Sequence, residues 1–448
     1  MSKVMHRTTQ PNLATIASGD GVYLIDKLGN KYLDACGGAA VSCLGHSNER
    51  VKQAIIEQVS KIPYAHSSFF TNEPQEQLAE DLIKYSQGDF SQVYLVSGGS
   101  EAIETSLKLA RQYFLEQGKD NKKYFIARKQ SYHGNTLGAL AIGGNLWRRK
   151  PFDPLLVEGH HISAPYEYRD KQENETAFEY GQRIANELEV KIQALGAENV
   201  AAFVAETVVG ATSGALTAPN GYYKRIREIC DQYDVLLILD EIMCGMGRTG
   251  RLHACEYENI QGDLQTVAKG LAAGYQPLGA VLISKKVVSA IESGTGFFQH
   301  GHTYIGHATA CAAGLATQQE IRDNNLLSNV VAQGENLKKQ LKESFAATPV
   351  LDQMIGDIRG RGLFIGIELV ANKETKQPFD PKLKLHAKIK KQAMENFLMV
   401  YPMGGTIDGV QGDHILLAPP FIINEDHVSQ IVSRLTKTIQ SVCTGKNS

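Results

Sequence analysis

The run Val235-Leu236-Leu237-Ile238-Leu239, closed by Asp240-Glu241, constrains this chain most. Five consecutive apolar residues suit a strand buried on both faces, which is the signature of a parallel sheet covered by helices. Other short apolar runs, at 93–97, 124–127, 201–205 and 281–284, alternate with amphipathic stretches at 49–59, 73–86 and 221–233. That alternation predicts an α/β fold built from βα units. Residues 21–34 read as a β-hairpin turning at Gly29-Asn30. From about residue 325 the texture changes to a helix at 328–345, a strand at 362–369, a helix at 383–396, a strand at 414–417 and a last helix at 425–441. We therefore expect a large domain over 46–330 with a mostly parallel central sheet. Residues 1–45 and 331–448 are expected to form a smaller α+β domain.

Composition excludes several classes of function. With 448 residues the chain is too long for one small core. A net charge of -2 gives no electrostatic footprint for nucleic acid or an anionic membrane. No apolar run approaches the ~18 residues of a membrane span, and the N-terminal residues lack the apolar core of a secretion signal. Seven cysteines occur without a Cys-x-x-Cys spacing, so neither a disulfide framework nor a zinc site is favoured, and a cytoplasmic location is expected. The residues after Val442 read as a frayed tail.

Four short motifs carry chemistry. Asp240 ends the apolar strand, and ligands of open α/β sheets collect at the carboxyl ends of strands. A carboxylate there pairs with a ligand cation, although alone it reads equally well as the cap of a turn. Lys269, in Ala268-Lys269-Gly270, lies among small and apolar residues. A desolvated lysine is a nucleophile that forms Schiff bases, whereas the same lysine alone in a glycine-rich loop reads as a surface residue. Gly98-Gly99-Ser100 sits between a strand and a helix, where backbone N–H groups bind phosphate. It is neither the dinucleotide fingerprint nor a P-loop, so nucleotide binding is disfavoured. Tyr132, in Ser131-Tyr132-His133-Gly134, supplies an aromatic face for a flat ring or is simply a core tyrosine. Taken together the four motifs describe one ligand with an aldehyde, a ring nitrogen, a phosphate and a flat ring, a description that pyridoxal phosphate meets.

From about Gly21 to Pro420 the chain resembles the class III aminotransferases of fold type I, the pyridoxal-phosphate-dependent ω-aminotransferase group. The segment from Leu237 through Asp240-Glu241-Ile242 to Arg248-Thr249-Gly250, then Asp263 and Ala268-Lys269-Gly270-Leu271, is similar to the family signature in residues and spacing. Tyr132-His133-Gly134, Gly301-His302-Thr303, Arg359-Gly360-Arg361-Gly362 and Gly412-Asp413-His414 are also family-like. The resemblance implies a Schiff base between the cofactor and Lys269, and Asp240 on the pyridine nitrogen. It implies that Ile242 backs the ring opposite Tyr132, with His133 beside it, and that Gly99 and Ser100 hold the phosphate. Glu206 matches an acid that supports Asp240. Thr303 is implied to reach the phosphate of a neighbouring subunit, hence a homodimer. No metal is implied, despite His300, His302 and His307.

The implied reaction moves an amino group from an amine, ω-amino acid or diamine to a keto acid, pyruvate by default, in a ping-pong sequence. A 2,1-aminomutase or a decarboxylating transaminase would keep the same cofactor residues. Certain positions depart from the family pattern. Thr207 follows Glu206 where proline is frequent. Met243 stands where the ornithine and γ-aminobutyrate branch has glutamine, which favours the amine:pyruvate branch. The stretch Tyr401–Gln411 contains no Arg or Lys to hold an acceptor carboxylate. Ala40 or Val41 replaces a bulky pocket tryptophan, so a roomier site is expected.

Overall fold

The computed structural model describes residues 3–8 and 13–444. Strand Leu236–Asp240 lies at the centre of a seven-stranded sheet. The strand order is Phe90–Val96, Gly279–Ser284, Leu264–Val267, Leu236–Asp240, Val200–Glu206, Tyr124–Arg128 and His160–Ile162. Gly279–Ser284 runs antiparallel to both neighbours, and every other pairing is parallel. The expected α/β architecture with a mostly parallel sheet is therefore present.

The sequence dictates which layer each side chain enters. Successive strand residues face opposite sides of a sheet. Leu236 and Ile238 pack with Ile103, Leu107, Val287 and Val288, from helices Gly99–Glu116 and Lys285–Ser293. Leu237 and Leu239 pack with Ile184, Leu188, Ile226 and Ile229, from helices Ala177–Leu195 and Tyr222–Gln232. Each such leucine contributes about 1.5–3 kcal/mol by leaving water.

Two further sheets hold the chain's ends. Ile355–Arg361, Phe364–Leu369, Asp413–Leu417 and Tyr401–Gly404 form an antiparallel sheet. The hairpin Tyr23–Asp26 and Lys31–Asp34 carries Ile16–Asp20 on one side, while Leu398–Met399 adds in parallel on the other. One apolar core accordingly takes Val22, Leu33 and Leu44 together with Leu337, Ile365, Ile415 and Leu435.

Some elements escape sequence reasoning for identifiable reasons. Tyr401–Gly404 contains Pro402 and lies at a sheet edge, the place where a strand tolerates a missing N–H. Ile355–Arg361, with two arginines and two glycines, is the opposite edge of the same sheet and is mostly half-buried. Leu264–Val267 and His160–Ile162 are too short for a pattern to show. Gly362 turns at φ 55°, so the strand expected from 362 starts at Phe364. Cys443 and Thr444, expected in a frayed tail, belong to helix Glu425–Thr444, and residues 445–448 of that tail lie outside the described residues. Among the described residues no helix is long and apolar enough to cross a membrane.

Candidate active site

Parallel register brings the acids together. Asp240 pairs with Glu206 on one side and with Thr266 on the other, so both carboxylates stand at the same, carboxyl end of the sheet. Asp240 is 3% exposed. Its Oδ1 accepts the Ile242 N–H at 3.0 Å, and its Oδ2 lies 2.8 Å from His133 Nδ1. His133 Nε2 is buried with no hydrogen-bond partner among the described residues. Such an orphaned atom in a protein interior calls for an explanation, and a ligand group is one.

Glu206 fixes the loop that carries Tyr132 and His133. Its Oε1 accepts the Tyr132 N–H at 3.0 Å and its Oε2 accepts the Gly210 N–H at 2.8 Å. Burial raises its carboxyl above the usual range; His133 opposes the shift and Asp240 adds to it. Lys269 follows strand Leu264–Val267 in a turn with φ 47°, a left-handed conformation strained for a residue with a side chain. Burial pushes its ammonium down, against the pull of Asp240 and Glu206. The outcome favours a neutral, nucleophilic amine.

Helix Gly99–Glu116 begins where strand Phe90–Val96 ends. The first N–H groups of a helix have no partner within it, so this turn presents donors. A Cβ on Gly98 would meet nothing within 4 Å, which leaves space against that backbone. A Cβ on Gly99 would come within 2.9 Å of Ile242, so glycine is required for the helix start to sit beside that side chain. Ser100 Oγ accepts the Asn135 N–H at 3.0 Å.

These residues enclose a cavity of about 500 Å³. Gly99, Ser100, Tyr132, His133, Glu206, Asp240, Ile242 and Lys269 all line it. Thr303 does not; it is exposed, and its carbonyl accepts from Tyr64 Oη at 3.1 Å. Ala39 and Val41 line the wall where a roomier site was expected, while Ala40 is buried beside them. Among the described residues no cluster of His, Cys, Asp or Glu is arranged to hold a metal ion. His300 instead contacts Thr105 Oγ1 at 3.0 Å.

Arg7, Arg148 and Tyr401 also line the cavity and were not singled out from the sequence. Arg148 lies over the Tyr132 ring, 4.6 Å from its centroid. Proximity to Tyr132-His133-Gly134 was the available signal, and Arg148 lies far outside the stretch Tyr401–Gln411. Chemically, the cavity combines a depressed amine, two buried acids and the N–H donors of a helix start. That set suits a flat, anionic ligand bearing a carbonyl group.

Comparison with known proteins agrees. Residues 4–439 match the family model described as aminotransferase class-III. An aminotransferase of Gibberella zeae is 44% identical over 97% of this chain and 85% of its own length. A diaminobutyrate–2-oxoglutarate transaminase of Halomonas elongata is 35% identical over 95% of this chain and 90% of its own. The solved structure of an ω-transaminase from Pseudomonas jessenii in complex with PMP superposes with a TM-score of 0.90 at 32% identity, covering 97% of this chain and 93% of the other. The chain belongs to the class-III aminotransferases and has the fold type I architecture of that group.

Proposed function

We propose that this aminotransferase moves an amino group from an amine, ω-amino acid or diamine to a keto acid, with pyruvate as the acceptor, and that Lys269 holds the cofactor as a Schiff base. Class-III aminotransferases use pyridoxal phosphate, which when bound supplies an electron sink for the bonding pair released at the substrate carbon. The observation that carries the assignment is the convergence of Lys269, Asp240 and Glu206 on one cavity, with the amine depressed and both acids buried.

Each residue then has a physical task. The Lys269 amine would take a proton from the substrate carbon and return one on the far side of the transferred nitrogen, two atoms away, acting as base and then as acid. Asp240, oriented by the Ile242 N–H and His133, would keep a proton on the cofactor's ring nitrogen by charge pairing. Glu206 holds the backbone at Tyr132, and so the loop from which His133 reaches Asp240. Tyr132 and Ile242 would hold the flat ring between them, and the backbone at Gly99 and Ser100 would hold the phosphate. Thr303, exposed in a single chain, would reach the phosphate of a second copy, which makes the working form a homodimer. Met243 lines the wall and resembles the amine:pyruvate branch, which supports pyruvate over 2-oxoglutarate, the acceptor named for the Halomonas elongata relative. Seven unpaired cysteines fit a reducing cytosol.

The test is the absorbance of the purified, cofactor-loaded protein before and after a panel of amines is added without acceptor. A yellow band that bleaches with some amines and returns with pyruvate is the expected result. A band that no amine bleaches would point to an aminomutase and sink the transamination reading. A protein that takes up no cofactor would overturn the assignment of Lys269.

A further inference from the structure

Two cations in the cavity wall, Arg7 and Arg148, have no part in the chemistry above. Of the charged side chains lining the cavity, Asp240 and Glu206 are acids and Lys269 is assigned to the cofactor. Arg7 lines the same space but is exposed. Arg148 is half-buried, and its Nε is buried with no hydrogen-bond partner among the described residues. The contrast with its neighbour is direct. Arg149 donates to the Gly143 carbonyl at 2.8 Å and lies 3.9 Å from Asp153, so its charge is engaged inside the chain. No such bond is made by the Arg148 guanidinium among the described residues.

The backbone beneath Arg148 is nonetheless held. Asn145 Oδ1 accepts the Arg148 N–H at 3.2 Å, and Asn145 Nδ2 donates to Gln130 Oε1 at 3.0 Å. Gln130 in turn donates to the Gly405 carbonyl at 2.6 Å. The guanidinium lies over the rings of Tyr132, at 4.6 Å, and Trp147, at 5.8 Å. Stacking of this kind uses the flat face of the group and leaves its in-plane N–H donors free. Those donors match the two oxygens of a carboxylate.

We propose that Arg148 anchors the carboxylate of the keto-acid acceptor in this cavity, a task for which Tyr401–Gln411 supplies no cation. The proposal rests on the aminotransferase reading above. Its charge reaches the reacting groups. Burial pushes Lys269 down and Tyr132 up, and on both the nearby Arg148 charge favours the deprotonated form. A carboxylate bound at Arg148 neutralises that charge inside the cavity.

The experiment compares two acceptors that differ in the carboxylate, pyruvate and propanal, with the cofactor-loaded wild type, Arg148→Met and Arg148→Lys. The quantity read is kcat/KM for pyruvate divided by that for propanal. Loss of a charge-assisted, two-point contact lowers this ratio about 10- to 100-fold in Arg148→Met, and Arg148→Lys recovers part of it. Titration calorimetry with the unreactive anion propionate gives a Kd weakened by a similar factor. An unchanged ratio would overturn the proposal. So would an equal fall with both acceptors, because Arg148 would then only be supporting Tyr132. Failure of the aminotransferase reading shows separately, as a wild type that no amine bleaches.

Discussion

Glu206 and Glu368 are both buried on strands, at 5% and 0% exposure, yet the chain surrounds them differently. Glu368 meets two arginines. Arg359 Nη1 reaches its Oε2 at 2.6 Å, Arg169 Nε reaches its Oε1 at 2.7 Å, and the Tyr166 hydroxyl donates as well. No arginine among the described residues pairs with the Glu206 carboxylate, which takes two backbone N–H groups and has Asp240 as its register partner. Burial raises both carboxyls. At Glu368, Arg359 and Arg169 outweigh it and hold the group below the usual range; at Glu206 burial prevails. Charge balanced within the chain marks a structural clamp between Phe364–Leu369, Ile355–Arg361 and the Tyr166 region. A buried acid given no cation by the chain fits a wall that receives a ligand. The same asymmetry separates Arg149, engaged, from Arg148, free to bind.

This contrast is breakable by mutation, because the two regions should fail in different ways. The largest effect is expected at Lys269. Lys269→Ala should lower turnover at least about 10⁴-fold, from loss of the proposed acid–base chemistry together with loss of the proposed covalent attachment. The melting temperature of the cofactor-free protein should move by no more than about 2 °C. Glu368→Gln should do the reverse. It leaves Arg359 and Arg169 buried without their anion, at a cost of about 3–5 kcal/mol. The Asp357 carboxylate, 3.0 Å from Arg359, keeps the loss toward the lower end. Denaturant melts and steady-state rates on both variants check the pair. A Lys269→Ala protein that unfolds as readily as Glu368→Gln would erase the distinction.

Much of the ligand wall was legible in the sequence because its constraints are local. An apolar run fixes a central strand, and the strand's end fixes Asp240. Glycine at 99 fixes the helix start against Ile242, which a Cβ would strike. The clamp was not legible. Arg359 stands in a family-like motif, but Tyr166, Arg169 and Glu368 are about 190 to 200 positions away or on the paired strand, and no spacing announces them. Arg148 was missed for a related reason. Its function depends on what it fails to contact, a property of the assembled cavity and not of any short motif.

A smaller effect sharpens the comparison within the wall itself. Asp240→Asn keeps an oxygen for the Ile242 N–H but removes the carboxylate that faces His133 and that we propose to pair with the cofactor nitrogen. Turnover should fall about 10²- to 10³-fold, the range for losing one preorganised electrostatic partner. Stability should change little, since the backbone contact survives. Rates and melting curves on the same preparation test both halves. A wild-type rate would show that ring protonation does not depend on Asp240.

The smallest effect lies in the pH dependence of stability and separates the two glutamates by sign. A carboxyl raised in the folded state stabilises while protonated, below its unfolded range near 4.3, and that contribution fades as pH climbs through the folded value. Glu206 is such a group. Glu206→Gln loses an acceptor for one of two backbone N–H groups, so it starts less stable than wild type, but glutamine does not titrate. The gap between the variant and wild type should therefore narrow as pH rises from the ordinary glutamate range, by no more than about 1.4 kcal/mol per pH unit. Glu368, lowered in the folded state, contributes stability above the unfolded range and loses it as pH falls through the folded value. The Glu368→Gln gap should then stay flat at neutral pH and narrow only below about pH 4. Melts of the cofactor-free proteins from acid to pH 8 measure both slopes. Slopes of the same sign would mean that Glu206, like Glu368, is balanced by the chain itself, and that the cavity wall holds no charge in reserve for a ligand.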